Sequence, residues 1–575
     1  MFRENEQHRQ KSFFSAEDWL PAKLRYRLLS SWAEAFFRLV LCRIEETIFA
    51  PLYSEKVSRP NVPVNVLVGL EILKSGFGWS DEVLYEQMCY NLQVRHALGL
   101  HDLSAEVFTL RTLYNFRRRV REYADETGID LMEKAFEQIT DEHLEIVAVA
   151  TGWQRMDSTQ ILSNLAEMSR LELLVAVLQA VHKQLPDGAQ ASWGKRWSVY
   201  LEGRPHQVCY KIPNAEAEDH MVTIGQELSS VEALLTEQAP DSDALVLVKR
   251  VLEEQYEGDT DETVRLRPGE EISAASLQSP HDREATYRIK GGKRFRGGYV
   301  INVSETADPE NAIQLITDVQ VEPNQTDDAT LMEQALDDQA EREIEVDRVT
   351  TDGGYTGPQG EAACEKHKVE LRATRMRGGR SAADRWGWEE YTWEVDDEGT
   401  PVSVTCPQGC TAGLVPGRAE GRFIARFAPE CCRDCPFLDN LCRVQDRRRV
   451  GPTLYVQARA IEVAQHRRSL HPEDTSIRVL AESTVRSLKR AFPNNKLPVR
   501  GLIRSRMMIY PAAVMVNLRR LHGYFRELAQ NASQAAAFSL SSASNAVCRH
   551  FNRVYRRLSR HSLVRPARQA IASLG

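Results

Sequence analysis

Segments of this chain that favour β-strands are few, and long stretches of helical periodicity separate them. In chain order they are the stretch 146–157 ending in Asp157, then 296–304, 313–322, the short stretch ending in Asp352, and 368–374. Helical periodicity dominates 166–260 and 327–342. With 166–278 set aside as a helical insertion, the order is three strands, helix, strand, helix, strand. This order predicts an α/β fold built on a mixed sheet with antiparallel strands at its start.

Two aspartates occupy the predicted strand ends. Asp157 closes the first strand, and Asp352 closes a later one, directly before Gly353 and Gly354. Strand ends can bring together site residues that are far apart in sequence. Glycines without side chains would let a substrate backbone approach closely. Taken alone, Asp-Gly-Gly is more often a simple turn.

A third carboxylate lies on a predicted helix at 475–493. Arg478, Glu482 and Lys489 are spaced i, i+4 and i+11, which places them within about 40° of one another around the helix. Glu482 sits at the edge of the apolar face, with a cation on either side. Such a carboxylate can bind a metal ion while the cations hold phosphates. The alternative is an ion-pair ladder on a solvated face.

Positive charge is concentrated although the net charge is −8. No acidic residue occurs in 483–520, and 528–575 contains seven arginines and no acid. A basic patch of this kind binds phosphates, although charge runs are also common on solvated faces. The predicted basic stripe consists of Arg486, Lys489, Arg490, Arg500, Arg504 and Arg506.

The first 140 residues are predicted to be helical. A helix within 108–123 has one apolar face, and its other face presents Arg111, Asn115, Arg118 and Arg119. A basic helix that ends a compact helical unit suits insertion into a DNA groove. An ordinary amphipathic surface helix is the alternative, because this motif is weak by itself.

These motifs together resemble those of bacterial insertion-sequence transposases of the DDE class. Arg-x3-Glu-x6-Lys at 478–489 resembles the Tyr-Arg-Glu-Lys signature, with Thr475 where the signature has tyrosine. RMDSTQI around Asp157 resembles the first catalytic aspartate of these families, and TTDGGYTG around Asp352 the second. The block PVNVLVGLEILKSGFGWSDEVLYEQM resembles the helical domain of InsH-type transposases.

The resemblance implies an RNase H-like catalytic domain and metal-dependent DNA strand cleavage and strand transfer. Asp157, Asp352 and Glu482 would hold two Mg²⁺ or Mn²⁺ ions per active site, and Arg478, Arg486, Lys489 and Arg490 would bind DNA, with Arg111 and Arg118 in the N-terminal domain. The partners would be double-stranded DNA at the inverted-repeat ends of a mobile element, target DNA, and a second copy of the chain in the DNA complex. Two alternatives stay open: an RNase H-like nuclease that does not transpose, and a non-catalytic DNA-binding protein.

Six of the eleven cysteines lie between Cys406 and Cys442. In a reducing compartment, such crowding favours metal binding over disulfides. Related transposases have a similar pattern, and Zn²⁺ takes four ligands in a tetrahedron. The predicted structural zinc set is Cys406, Cys432, Cys435 and Cys442, with Cys410 and Cys431 able to substitute. The alternative is a group of unliganded cysteines.

The chain is too long, at 575 residues, for one hydrophobic core. The predicted domains are a helical DNA-binding domain at 1–140, a catalytic core at 141–374 and 471–530, an irregular Cys-rich zinc insert at 375–470, and a basic tail at 531–575. Neither a membrane-spanning run nor a signal peptide is expected, because no long uncharged apolar stretch occurs. The expected location is the cytoplasm, in association with the nucleoid.

Overall fold

A computed structural model describes most of the chain. The described residues are 1–6, 8, 15–56, 60–103, 107–257, 264–290, 292–374, 385–396, 400–419, 421–438, 440–447, 451–468 and 470–538.

Helices form the N-terminal region, as the sequence predicts. They are α1 (Ala22–Leu29), α2 (Trp32–Leu39), α3 (Val64–Phe77), α4 (Asp81–Tyr90), α5 (Leu92–Ala97), α6 (Leu110–Thr127) and α7 (Leu131–Val147). The apolar helix α3 is buried along almost its whole length. Ser80 caps α4 by accepting a hydrogen bond from the backbone of Val83. In α6, Leu113, Phe116 and Val120 face the core.

A mixed sheet follows, and helices alternate with its later strands. Its elements are β1 (Trp153–Leu162), β4 (Thr286–Lys290), β5 (Lys293–Thr306), β6 (Ile316–Pro323), α14 (Asp328–Glu341), β7 (Arg348–Thr351), α15 (Pro358–His367) and β8 (Glu370–Ala373). Within the described residues, β1 pairs antiparallel with β5 and parallel with β7. Strand β6 pairs antiparallel with β5, and β8 pairs parallel with β7. The sheet is therefore mixed, as predicted, with β4 as a strand that the sequence did not predict.

The first strand differs from its prediction. Ile146 and Val147 belong to the end of α7, because they continue its apolar face against the core. Strand β1 starts only at Trp153, so Asp157 lies in the middle of the strand and does not close it. The parallel pairing with β7, however, ends at Arg155.

Alternation along β1 decides which face of the sheet each side chain occupies. Met156 packs under α14 and α15 in one apolar cluster. Successive side chains of a strand alternate between its two faces. Arg155, Asp157 and Thr159 therefore point to the opposite face. Thr159 accepts a hydrogen bond at 3.0 Å from Lys489, which lies on the helix at 475–489. Asp157 thus faces this helix.

The stretch between β1 and β4 is mostly helical, as predicted, and has a hydrophobic core of its own. Its elements are α8 (Arg170–His182), α9 (Asp187–Arg196), α10 (Ser198–Leu201), α11 (Pro205–Tyr210), α12 (Ala217–Gln238), α13 (Asp243–Gln255), and a small hairpin of β2 (Tyr256–Glu257) and β3 (Arg265–Leu266).

A second, antiparallel sheet occupies much of 385–457, where irregular structure was predicted, and that prediction is wrong. The elements here are β9 (Thr392–Val395), β10 (Pro401–Thr405), β11 (Thr411–Pro416), β12 (Arg422–Arg426), α16 (Pro429–Cys432), β13 (Gln445–Arg447), β14 (Gly451–Gln457) and the following helix α17 (Ala458–Arg468). Tyr391, Trp393 and Leu454 contribute to a buried core that these short strands enclose. Apolar burial therefore orders the described part of this region.

Two helices complete the described chain, α18 (Thr475–Lys489) and α19 (Leu502–Phe538). Helix α19 packs against α3, α7 and β6. It begins well before Pro511 and continues past it. The predicted basic tail lies outside the described residues from 539 onward. Among the residues described, no helix is both long and apolar enough to cross a membrane.

One buried carboxylate connects the sheet to both C-terminal helices. Glu305 of β5 is fully buried and binds Arg155 of β1 at 2.7 Å. It accepts a hydrogen bond from Thr484 of α18 at 2.7 Å and pairs with Arg520 of α19 at 2.8 Å. Arg520 also donates to the hydroxyl of Thr484. The Glu305 cluster (Glu305, Arg155, Thr484 and Arg520) therefore fixes where α18 lies on β1.

Replacing Glu305 by glutamine should destabilise the protein strongly, because the buried Arg155 would lose its counter-charge. We expect the free energy of unfolding to fall by about 3–5 kcal/mol, as when one partner of a buried ion pair is removed. The matched control is Glu370→Gln, which breaks the exposed pair with Arg348 and should cost at most about 1 kcal/mol. Urea denaturation measures both, and equal losses would contradict the central role of Glu305.

Candidate active site

The register between two parallel strands brings the predicted aspartates side by side. Arg155 of β1 pairs with Thr350 of β7. Asp157 lies two residues after Arg155, and Asp352 lies two residues after Thr350. The two aspartates are therefore neighbours just beyond the end of the parallel pairing. The backbone amide of Gly354 donates to Asp352 at 2.7 Å, which orients this carboxylate in the turn after β7.

Helix α18 brings the third predicted carboxylate to the same face. Thr484, held by Glu305, and Lys489, which donates to Thr159 and to the Gln160 carbonyl at 2.8 Å, attach the helix to β1. Glu482 precedes Thr484 by two residues, with 48% of its side chain exposed. Arg478 donates to the Glu482 carboxylate at 2.7 Å.

The pKa of Asp157 is shifted by the charged side chains around it. Burial, followed by the negative charge of Asp352, raises the pKa of Asp157 to about 6. Glu482 adds to this rise, whereas Lys290 and Arg478 oppose it. Asp352 and Glu482 are therefore both close enough to Asp157 to repel its carboxylate, and a cation between them would relieve that repulsion.

The carboxylates do not form a closed cage. Among the described residues, a single group of three His, Cys, Asp or Glu side chains has ligand atoms all within 4.8 Å of one another, and that group lies in the N-terminal helices. The oxygens of Asp157, Asp352 and Glu482 are thus spaced more widely than this.

Lys290 is a site residue that the sequence did not predict. Its ammonium group donates to the hydroxyl of Ser158 at 2.9 Å and lowers the pKa of Asp157. It reaches this position because β4 and β5 form a hairpin beside β1. The one available signal was the pair of lysines around two glycines at 290–293, which is typical of a hairpin tip.

The predicted basic stripe contains exposed arginines and one arginine that is held in an ion pair inside the protein. Arg486, Arg490, Arg500 and Arg504 are exposed, and Arg500 also donates to the Asn164 carbonyl at 2.7 Å. Arg486 and Arg490 line a cavity of about 360 Å³ together with Glu482. Arg506 does not belong to this surface, because it forms an ion pair with Glu322 at 2.7 Å and donates to a carbonyl of β6. The stripe is therefore narrower than predicted.

Two of the predicted DNA contacts on α18, Lys489 and Arg478, are held by other parts of the protein. Lys489 turns toward β1, and burial, together with the charge of Lys290, lowers its pKa to about 8. The guanidinium of Arg478 forms an ion pair with Glu482. On α6, Arg111 is exposed, whereas Arg118 pairs with Glu122 at 2.7 Å.

The clustered cysteines meet beside the second sheet. Cys432 and Cys442 are part of its buried core, and Cys406, Cys410 and Cys431 pack against them. Burial and the neighbouring thiols, including that of Cys435, raise the pKa of Cys432 to about 11. No three of the sulfur atoms described here lie mutually within 4.8 Å. The predicted zinc ligands are thus neighbours in an open arrangement that does not yet form a tetrahedron.

Comparison with known proteins gives one match. A family described as a transposase domain (DUF772) matches residues 14–119, which include α1 to α5 and part of α6. No curated protein matches the chain, and no solved structure matches it. The matched domain indicates a transposase role for the protein. It ends before Asp157, so it does not include the carboxylates.

The effect of neighbouring charges on the pKa of Asp157 can be tested by substituting the residues that carry them. In metal-free protein, Asp352→Asn should lower the pKa of Asp157 because a repelling charge is lost, and Lys290→Met should raise it because an attracting charge is lost. Carbon-13 NMR of labelled aspartates measures this titration, with Asp157→Asn for assignment and Glu341→Gln as the exposed control. A pKa that is unchanged in Asp352→Asn would show that the two aspartates are not neighbours.

Proposed function

We propose that this protein is a DDE-class transposase that cleaves and joins DNA strands at the inverted-repeat ends of a mobile element. One observation carries the proposal: Asp157 on β1, Asp352 directly after the parallel neighbour β7, and Glu482 on the helix that packs over β1 come together on one face of the sheet. The transposase domain at 14–119 supports the same role independently. Double-stranded DNA, both at the element ends and at the target, would be the partner, bound by a dimer.

The strand arrangement supports an RNase H-like core. The path β6-β5-β1-β7-β8 is antiparallel over its first three strands and parallel over its last three. Acids then stand on the central strand β1, at the end of its parallel neighbour β7, and on the helix that packs over β1. This is the arrangement that an RNase H-like fold would need to build a three-carboxylate site.

The donor set fits Mg²⁺ or Mn²⁺. All three side chains offer carboxylate oxygens, which these ions prefer while retaining several waters. The spacing beyond 4.8 Å fits ligands divided between two ions better than one closed cage. When bound, two ions about 3.5–4 Å apart would activate the attacking oxygen and stabilise the leaving oxygen.

The protein's own residues would position these groups. Asp157 is held rigidly within a central strand, and the amide of Gly354 orients Asp352. Arg478 holds the exposed Glu482 by an ion pair, which restrains this side chain near Asp157. Arg486 and Arg490, beside Glu482 in the same cavity, would hold the DNA backbone against the site.

We also propose a structural zinc ion held by Cys406, Cys432, Cys435 and Cys442, with Cys410 and Cys431 as substitutes. The soft sulfur donors and their convergence from separate turns fit Zn²⁺. The sulfur atoms would move closer to complete a tetrahedron. Because the surrounding sheet already has an apolar core, zinc would stabilise this region without being its sole source of order.

The carboxylates should be needed for cleavage but not for DNA binding. Asp157→Asn, Asp352→Asn and Glu482→Gln each keep the side-chain shape and remove a metal-binding charge, so each should abolish cleavage of an end-sequence duplex. Glu341→Gln, an exposed change on α14, is the matched control and should cleave normally. Gel-shift and cleavage assays separate the two steps. Normal cutting by any acid variant would reject that residue's assigned role.

DNA binding should depend on salt through the exposed arginines. Each phosphate contact contributes about 0.9 to the slope of log K against log salt concentration. Arg486→Ala/Arg490→Ala should therefore reduce the slope by nearly 2 and weaken binding to all sequences alike. Lys211→Ala, an exposed cation on the helical insertion, should leave the slope unchanged. Fluorescence anisotropy over a salt series measures this, and an unaltered slope in the double variant would place both arginines outside the interface.

A further inference from the structure

A second cluster of ionisable side chains lies in the N-terminal helical region. The ligand atoms of Glu17, His96 and His101 all lie within 4.8 Å of one another, which holds for no other such group among the residues described. Nδ1 of His96 is 3.1 Å from Oε2 of Glu17. The rings of His96 and His101 meet edge to face, with centroids 5.3 Å apart. None of these residues belongs to the carboxylate site on β1.

The backbone brings the three residues together by a specific turn. Helix α5 ends at Ala97, and Gly99 follows in the left-handed region at φ +66°. The amide of Gly99 donates to the His96 carbonyl at 3.0 Å, which folds the chain back so that His101 lies beside His96. The amide of Ala16 then donates to the His101 carbonyl at 2.9 Å, so Glu17 is aligned with both histidines.

His96 is oriented as metal-binding histidines are. Only 4% of its side chain is exposed, and its Nε2 lies 2.6 Å from a carboxylate oxygen of Glu34 on α2. Histidine ligands commonly give their second nitrogen to a carboxylate, which fixes the ring and makes the first nitrogen a better ligand. Nδ1 is therefore the nitrogen of His96 that faces Glu17 and His101.

Two polar atoms at this place lack an aligned partner. Oε2 of Glu17 and the hydroxyl oxygen of Ser15 are buried and make no hydrogen bond. The 3.1 Å approach of Glu17 to His96 is thus an ion-pair contact without hydrogen-bond alignment. A cation between the three side chains would give this buried oxygen a directed partner.

We propose that Glu17, His96 and His101 bind one divalent transition-metal ion, with zinc as the best match, and that Glu34 orients His96. Two imidazole nitrogens and one carboxylate oxygen are ordinary Zn²⁺ ligands, and a water molecule completes the tetrahedron. The ion displaces the proton from Nδ1 of His96, and that proton leaves to solvent. The bound ion ties the turn at Ala16–Trp19 and the loop after α5 to α2.

The competing state is a protonated histidine without metal. Although burial opposes the charged form, the carboxylates of Glu17 and Glu34 raise the pKa of His96 to about 9. In that state the proton on Nδ1 faces Glu17, in the place of the ion, and no ligand is required from His101. The two states therefore differ in what a change at His101 does.

Zinc binding by the full-length protein tests the proposal. Cys410→Ser/Cys431→Ser/Cys432→Ser/Cys435→Ser serves as the background, so that the proposed cysteine ligands and their substitutes can no longer form a four-thiolate site. Competition with a chromophoric chelator should detect about one tightly bound zinc per chain. His101→Asn should lose this ion, and Glu34→Gln should weaken its binding by about 10–100-fold, as expected for an orienting carboxylate. The matched control His206→Asn, which removes an exposed histidine on α11, should keep it.

Cobalt substitution and melting distinguish this site from residual thiols and from misfolding. Bound Co²⁺ should show ligand-field absorption without the intense thiolate charge-transfer band that any cysteine site produces. Zinc should raise the melting temperature of the background protein but not that of His101→Asn, whose melting in chelator should match the background. The proposal is overturned if the background binds no zinc, if Co²⁺ shows thiolate bands only, or if His101→Asn binds zinc as tightly as the background.

Discussion

The carboxylate of Glu305 is the interaction on which the candidate active site depends. It is fully buried and charged, so it is stable only while Arg155, Thr484 and Arg520 satisfy it together. Each partner comes from a different element, and the geometry required by the carboxylate therefore fixes α18 and α19 relative to β1. Since Glu482 is two residues from Thr484 and Asp157 is two residues from Arg155, the same cluster sets the distance between two of the proposed metal ligands.

This constraint explains how the protein accommodates long stretches of sequence between its site residues. The helical insertion between β1 and β4 has its own core, and so does the sheet that precedes α17. Each can fold mainly on its own contacts, while the ladder between β1 and β7 and the Glu305 cluster hold the acids in register. The N-terminal helices share one core with α19 and with β5 and β6. The domain that matches a transposase family is thus packed directly against the elements that carry the candidate site.

Patterns within one element could be predicted from the sequence, whereas partners distant in the chain could not. The apolar spacing of α6 and the short strand before Asp352 were visible because each depends on neighbouring residues. Ile146 and Val147 suggested a strand, but their contacts with the core keep them in α7. The short strands β9 to β14 were missed because each is brief and their core forms only when they pair. Arg506 was placed on the surface because its partner, Glu322, is far away in sequence.

The central claim is that Asp157, Asp352 and Glu482 jointly hold divalent ions for DNA cleavage. Anomalous diffraction from Mn²⁺, in crystals of the full chain with an end-sequence duplex, tests it most directly. The account predicts two manganese peaks about 3.5–4 Å apart, with oxygens of all three side chains as ligands. Manganese bound elsewhere, or bound without any one of the three carboxylates, would contradict it.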